Sequence, residues 1–275
     1  MRKLFIFCLL PFLYSCSGEE TRKAQQKPKK EKSELKPTPK DENSVVHESY
    51  NYITDETVVK RLTNYGKENL ETIVLLSTSK GNIKIRLFKD TPLHRANFIM
   101  MVKEGYFDGT VFTRVVKNFM AQGGGTYDET HSRLKRKIGN YSIPAEFTKK
   151  HYHKKGAIGA ARGYQNNPEM RSAPYSFYFV EGTKYSNNAL DHYEEENNYK
   201  YPTEHRSYYC SEQGAAHIAG VHTVFGEIIE GYSVVPKLTA VTKNSIDWPN
   251  TDLFITRAEV VEYDYLMKRK YLIKN

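Results

Sequence analysis

Residues 111–125 read VFTRVVKNFMAQGGG, and this stretch decides the fold and the candidate site. Valine and phenylalanine are frequent in it, which favours a β-strand, and the closing glycines indicate a bend or a close approach of another segment. Arg114 and Gln122 stand within this apolar pattern. An apolar groove with a guanidinium and an amide suits a neutral, carbonyl-bearing ligand such as a peptide. The alternative interpretation is an amphipathic strand whose Arg114 points into water.

Five segments resemble, in the same order, the signatures of the cyclophilin-type peptidyl-prolyl cis-trans isomerases. The opening stretch has the family's phenylalanine-x-arginine-valine start and its phenylalanine-methionine-x-glutamine-glycine-glycine end. The resemblance extends over about residues 71–262. The other four segments are IPAEF at 143–147, KGAIGAAR at 155–162, SFYFV at 176–180 and HIAGVHTVFG at 217–226.

The resemblance implies a peptidyl-prolyl cis-trans isomerase, and it assigns a role to each matched residue of a peptide groove. Arg114 is the catalytic candidate, and proline-containing polypeptides are the expected partners. No cofactor and no metal ligand is expected, because the reaction breaks no covalent bond. The substrate-binding candidates are Phe112, Phe119, Met120, Gln122, Ala161, Phe177, Phe179, His217, Ile218 and His222.

Three positions depart from the family's usual residues. Phe177 stands where the family has a glutamine that helps to hold the substrate backbone, and Ala160-Ala161 replaces a methionine-alanine pair. His217 takes the position of a tryptophan that in some members contacts cyclosporin. These departures keep a second hypothesis open, in which the domain binds proline peptides or acts as a scaffold with little catalysis.

The fold that the resemblance implies is mainly β, a closed eight-stranded antiparallel barrel capped by two helices, over residues 71–263. Alternation at Ile83, Ile85 and Leu87 after a Lys-Gly-Asn turn independently predicts a hairpin. Segments 92–102 and 231–238 correspond to the two capping helices.

Further segments are predicted outside this barrel. The helical spacing of Val58, Leu62 and Tyr65 predicts an N-terminal helix within 44–70, with Thr54 as its cap. Residues 126–142 are polar and basic, which predicts an exposed loop. Residues 181–214 form a polar insertion, and residues 264–275 form a basic tail.

The N-terminal sequence is typical of a bacterial lipoprotein signal. Two cations precede the apolar stretch 4–13, which is too short to span a bilayer, and Leu-Tyr-Ser then precedes Cys16. This pattern predicts a signal peptide at 1–15, lipid on Cys16 and a disordered tether at 16–43. The expected location is extracytoplasmic, on the periplasmic side of an outer membrane rather than the cell surface. An ordinary secretory peptide with an incidental Cys16 is the alternative.

Charge and cysteine content narrow the remaining functions. The net charge is +9, but the lysines are scattered, so a solvated basic surface is favoured over nucleic-acid binding. Cys210 is the one cysteine beyond Cys16, so an intramolecular disulfide is not expected in the processed chain. The expected oligomeric state is a monomer. The histidines show no spacing typical of a metal site.

Overall fold

The computed structural model describes residues 52–261. The predicted signal peptide with Cys16, the tether and the basic tail lie outside these described residues. The strands are β1 Ile53–Thr54, β2 Ile73–Thr78, β3 Gly81–Leu87, β4 Thr110–Val111, β5 Arg114–Val116, β6 Met120–Gly123, β7 Gly139–Asn140, β8 Ala157–Ala160, β9 Phe177–Val180, β10 Val224–Glu230 and β11 Phe254–Val260. The helices are α1 Val58–Glu68, α2 Pro92–Lys103, α3 Glu129–Ile138, α4 Asn187–Glu196, α5 Thr203–Ser211 and α6 Val234–Thr239, and a 3-10 turn covers Ala216–Ile218.

Nine of the strands form one antiparallel sheet in the order β4-β11-β2-β3-β10-β8-β9-β6-β5. The predicted hairpin is confirmed as β2 and β3. Strands β1 and β7 form a separate parallel pair. The expected closed eight-stranded barrel is not confirmed: the sheet is curled, and Val111 and Gly125 join its β4 side to the end of β6 through an isolated bridge.

The core lies inside the curled sheet and beneath α2 and α6. Alternate residues of β3 point inward, and Ile83, Ile85 and Leu87 are fully buried there. Helix α2 is buried along most of its length. Its Arg95 guanidinium donates hydrogen bonds to backbone carbonyls of Gly66 and Asn69, at 2.9 and 2.6 Å. This buried cation therefore fixes the C-terminal end of α1 against the sheet domain.

Helix α1 occupies part of the segment where a helix is predicted. Its buried residues are Val58, Leu62 and Gly66, one per turn on the side that faces α2. The helix begins at Val58 and not after Thr54, since Thr57 is its N-cap residue. The Thr54 carbonyl instead accepts a hydrogen bond from the Thr57 amide at 3.1 Å, which makes a turn before the helix.

The prediction of an exposed loop at 126–142 is wrong, because most of this segment forms α3. The Asp128 side chain caps this helix by accepting a hydrogen bond from the His131 amide at 2.9 Å. That bond is the largest cause that lowers the pKa of Asp128 to about 2. Polarity alone does not distinguish an exposed loop from an exposed helix, and Asp128 is the capping residue that marks the helix in the sequence.

The insertion contains α4 and α5, which pack around a cluster of tyrosines. Leu190, Tyr201 and Tyr209 are buried at its centre. Cys210 lies half-buried in α5. The insertion therefore has a small apolar core of its own, and this core extends to Ala216, the first residue of the 3-10 turn, and to Ala219, which follows the turn.

Candidate functional site

A cavity of about 470 Å³ lies between β6, β9, the end of β8 and the 3-10 turn. Most of the candidate residues line it, although they come from segments more than a hundred residues apart. The lining residues are Arg114, Phe119, Met120, Gln122, Ala161, Arg162, Tyr164, Ala173, Ser176, Tyr178, His217, Ile218 and His222. The candidates Phe112, Phe177 and Phe179 are not among them.

The β5–β6 hairpin supplies the cavity's guanidinium and amide. Arg114 and Gln122 are direct partners across the two antiparallel strands, so their side chains share one face. The Arg114 guanidinium carbon lies 5.9 Å from the centre of the Phe119 ring. Met120 is buried below it in an apolar cluster with Tyr178 and Ile218. The hairpin thus places one cation at the edge of an apolar pocket.

A loop after α6 holds Arg114 in place. The Arg114 Nε donates to Asp247 Oδ2 at 3.1 Å, and the Lys243 Nζ donates to Asp247 Oδ1 at 2.7 Å. The backbone of Val115 accepts from Lys243 Nζ and donates to the Asp247 carbonyl. The hydrogen bond from Lys243 and then that from Arg114 lower the pKa of Asp247. The carboxylate is therefore ionised at neutral pH and fixes the guanidinium's orientation.

Strand β9 presents a different face to the cavity from the one that the resemblance implies. Phe177 and Phe179 point into the main core, where they pack edge-to-face at 5.3 Å between ring centres. Tyr178 points to the cavity, and Ser176 lines it two residues earlier. Side chains alternate along a strand, so a match displaced by one residue exchanges the two faces. Assigning Phe177 and Phe179 to the groove is therefore corrected to Ser176 and Tyr178.

Phe112 is likewise a core residue. It is fully buried, its ring lies 6.5 Å from that of Phe179, and a side chain at Gly123 would meet its ring at 3.2 Å. It supports the strand that carries the cavity residues but does not reach the cavity itself.

Tyr178 is held by a buried histidine and by a glycine. Its hydroxyl and His153 Nε2 are 2.8 Å apart, and both side chains are buried. Burial lowers the pKa of His153 well below its usual value, so the ring is neutral. A Cβ at Gly159 would lie 2.2 Å from the Tyr178 ring, which explains why this β8 position has no side chain. The cavity floor is thus fixed by packing and by one hydrogen bond.

His222 forms part of the cavity wall as a neutral ring. Its Nδ1 lies 3.0 Å from the Ala160 carbonyl, which can only accept, so Nδ1 carries the proton. Its Nε2 then accepts from the Tyr164 hydroxyl at 2.7 Å. Burial is the largest cause that lowers the pKa of His222 to about 4. The residue therefore contributes shape and hydrogen bonding at neutral pH, with no positive charge.

The insertion positions the opposite wall of the cavity. The Tyr185 hydroxyl lies 2.8 Å from His217 Nδ1, and the Asn197 amide donates to the His217 carbonyl at 2.9 Å. The His217 ring lies 4.5 Å from that of Phe119, centre to centre. Burial also lowers the pKa of His217. The histidine in place of the family's tryptophan is therefore packed and bonded from the insertion side.

Several cavity residues were not predicted from the sequence. Arg162 is the last residue of the matched segment 155–162, and Tyr164 lies two residues further on, but the resemblance assigns a role to neither. In residues 176–180, Ser176 is the one residue that is neither aromatic nor aliphatic, and its polarity indicates which face of the strand meets the cavity. Asp247 had no such signal, because it is 133 residues from Arg114 and its position depends on the loop.

The described part of the chain has neither a metal-binding cluster nor a membrane-spanning helix. Between residues 52 and 261 there is no group of three or more histidine, cysteine or acidic side chains arranged to hold a metal ion. No helix within that range has the length and apolar character needed to cross a bilayer.

Comparisons with known proteins identify the family. The model of the family described as cyclophilin type peptidyl-prolyl cis-trans isomerase/CLD matches residues 73–260. A Dickeya dadantii protein named peptidyl-prolyl cis-trans isomerase A is 28% identical over 197 residues, which cover 70% of this chain and 85% of that protein. A Staphylococcus epidermidis protein with a provisional peptidyl-prolyl cis-trans isomerase name is 28% identical over 208 residues, or 73% of this chain and 100% of that protein.

Two further matches are more limited. A Streptococcus pyogenes protein with a provisional name as a bifunctional phosphatase and peptidyl-prolyl isomerase is 29% identical over 195 residues. The match covers 69% of this chain but only 38% of that protein. A Cryptosporidium parvum cyclophilin, crystallised in the presence of the dipeptide Ala-Pro, is 17% identical with a TM-score of 0.49. That match covers 69% of this chain and 99% of the other.

The fold is that of a cyclophilin, a mainly β protein built on a curled antiparallel sheet. The chain belongs to the cyclophilin-type peptidyl-prolyl cis-trans isomerase family, and it is an enzyme of that class.

Proposed function

We propose that the chain isomerises X-Pro bonds of extracytoplasmic polypeptides in the cavity lined by Arg114, and that it assists their folding while tethered to a membrane. The observation that carries the catalytic part is a fixed guanidinium at the edge of an apolar pocket of about 470 Å³. The family assignment supports the reaction, and the N-terminal sequence supports the location.

The chemistry requires the enzyme to bind a twisted amide better than either planar form. Amide resonance gives peptide bonds a rotational barrier of about 18–20 kcal/mol. Uncatalysed exchange at X-Pro bonds takes roughly tens to hundreds of seconds. When the bond twists, the proline nitrogen regains a lone pair, which can accept a hydrogen bond. Lowering this barrier by about 5.5 kcal/mol would accelerate exchange roughly 10⁴-fold.

Arg114 is the residue that can donate this hydrogen bond. Its Nε is already bonded to Asp247, and no acceptor among residues 52–261 contacts either Nη group. The Nη groups can therefore face the substrate while Nε anchors the side chain. Asp247 restricts the rotation of the guanidinium, so less conformational entropy is lost when the transition state forms.

The rest of the cavity would hold the two halves of the substrate. Met120, Tyr178 and Ile218 form an apolar surface that suits the proline ring. Gln122 offers an amide to the substrate backbone beside Arg114. One half of the peptide would stay bound while the other half rotates, and no nucleophile or proton transfer is needed.

The test is NMR exchange of a short Ala-Pro peptide with residues 44–275 and with Arg114→Ala. We expect accelerated exchange with the unchanged protein and its loss in the variant, while peptide binding persists. Arg86→Ala is the matched control, because Arg86 is an exposed arginine of β3 that pairs with Glu227 and does not line the cavity. Peptide binding without exchange in the unchanged protein would favour the alternative of a proline-peptide binding module.

The membrane tether is a separate part of the proposal. Signal cleavage before Cys16 would expose a cysteine for acylation, and several acyl chains anchor a protein stably. The tether of residues 16–43 would then let the domain reach clients near the periplasmic face of an outer membrane. Metabolic labelling with a palmitate analogue should modify the full chain but not Cys16→Ala. Labelling of both, or of neither, would contradict the anchor.

A further inference from the structure

We propose that Arg162 selects substrates that carry an acidic side chain close to the proline, an inference that rests on the proposed function. Arg162 lines the cavity and follows Ala161, whose backbone bonds to Ser176 and Ala173, whereas Met120 pairs with Val180 at the other end of β9. The two ends are connected along the chain from Ser176, which directly precedes β9, to Tyr178 in β9, and both side chains line the cavity. This end of the cavity has no role in the catalytic account above.

The surroundings of Arg162 leave its charge without a carboxylate. Among residues 52–261, no aspartate or glutamate oxygen forms an ion pair with its guanidinium. Its Nε is buried and has no hydrogen-bond partner there, and Nη1 makes only a 3.5 Å contact with the Gly163 carbonyl. A partly buried guanidinium in this state gains from a bound anion, because charge-assisted hydrogen bonds are about twice as strong as neutral ones.

Tyr164 prepares Arg162 for such a ligand. The guanidinium carbon lies 4.3 Å from the centre of the Tyr164 ring, which is a stacked arrangement. The Tyr164 hydroxyl is in turn bonded to His222 on the cavity wall. A stacked guanidinium is restricted in orientation and keeps its fork of donors available for a carboxylate. The carboxylate would approach from the cavity and not from the ring side.

The other arginine makes the selection depend on position. Arg114 is paired with Asp247, so a substrate carboxylate near it would meet an existing negative charge. The Arg162 end has no such carboxylate. An acidic residue should therefore help only on the side of the proline that extends toward Arg162.

The spacing along β9 sets the expected substrate position. Tyr178, at the apolar pocket, and Ser176, near Arg162, are two residues apart on one strand face, which is about 6.6 Å. Backbone hydrogen bonds place Ala161, the neighbour of Arg162, against Ser176 and Ala173. An extended peptide rises by about 3.3 Å per residue, so this distance spans about two residues, and the acidic side chain should be one or two positions from the proline.

The experiment compares peptides that differ only in glutamate or glutamine at one and two positions on either side of the proline. NMR exchange gives KM and kcat for each, and titration gives Kd. We expect glutamate to lower KM and Kd roughly fivefold on one side only, with kcat little changed, because this contact is the same in the ground and twisted states. The gain should shrink at high salt.

Arg162→Gln should abolish the preference for glutamate over glutamine, and Arg162→Glu should reverse it, so that the glutamine peptide binds more tightly. Arg257→Gln is the control, since Arg257 lies on β11, pairs with Glu259 and does not line the cavity. A preference that is absent, or that survives in Arg162→Gln, overturns the inference. If no peptide is isomerised, the proposed function fails, and the Kd comparison still decides the role of Arg162.

Discussion

The two ends of the cavity each carry an arginine, but the two side chains are held in opposite ways. Arg114 is anchored through Nε to a carboxylate that a lysine also binds. Arg162 lies against an aromatic ring and has no carboxylate partner within residues 52–261. The difference suggests a division of roles: an anchored cation suits a reaction step that needs fixed geometry, and a stacked cation suits recognition of a substrate charge.

The largest effect on catalysis is expected from substitution of Arg114, the arginine that Asp247 anchors. Arg114→Lys keeps the charge but removes the planar donors that reach both Asp247 and the substrate, so kcat should fall about 100-fold, or about 2.7 kcal/mol. NMR exchange measures kcat, and titration should show peptide Kd within about threefold of the unchanged value. A drop of less than about tenfold would remove the distinction between the two arginines.

Asp247→Asn tests whether anchoring itself matters. The amide can still accept from Arg114 Nε but carries no charge, so the guanidinium is held less firmly. We expect kcat to fall roughly tenfold with little change in KM, since the loss is confined to transition-state geometry. Asp191→Asn serves as the matched control, because Asp191 also pairs with an arginine but lies in the insertion. If KM rises while kcat stays constant, Asp247 contributes to peptide binding instead.

A smaller effect, on KM, is expected from substitution of Tyr164, the residue that contacts Arg162. Tyr164→Ala removes both the stacking on Arg162 and the hydrogen bond to His222, and it should raise KM for the glutamate peptide roughly threefold. Tyr164→Phe keeps the ring and removes only the hydroxyl, so it should retain most of the preference for glutamate. Equal losses in the two variants would show that the hydroxyl, and not the stacking, orients this end.

The pH dependence of kcat should be the smallest effect. Because the pKa of His222 is lowered to about 4, its ring stays neutral from about pH 8 to about pH 5.5, and kcat should change less than about twofold. In the unfolded chain the same histidine takes up a proton near its ordinary pKa. The free energy of unfolding should therefore decrease as the pH falls from about 6.5 toward 4. A kcat that halves near pH 6.5 would contradict a buried neutral His222.

Strands β6 and β9 show how far the sequence predicts this site. In β6, Gln122 lies between small residues, and its polarity identifies the face that meets the cavity. In β9, Phe177 through Val180 are all aromatic or aliphatic and all buried, so these four residues do not distinguish the two faces, and only Ser176, just before the strand, marks the face that meets the cavity. The resemblance therefore identifies the strand correctly, but it is displaced by one residue and assigns the wrong side chains to the cavity face.

Other features could not be predicted because they depend on distant packing. The loop that carries Asp247 follows α6, which packs on β5 and β6, and Asp247 itself has a left-handed backbone, with φ of 66°. The closed barrel was expected from the family and not from any pattern of residues. In contrast, the hairpin at β2 and β3 follows from local alternation and a turn, which need no tertiary information.

We propose that Arg114 catalyses the reaction and that Arg162 selects the substrate. The most direct measurement is NMR exchange of one glutamate peptide and its glutamine partner by the unchanged protein, Arg114→Gln and Arg162→Gln. We expect Arg114→Gln to lower kcat for both peptides by the same large factor and to preserve the ratio of their KM values. Arg162→Gln should instead bring that ratio to one. If both substitutions change the same parameter in the same way, the two arginines form a single binding surface and the division of roles is wrong.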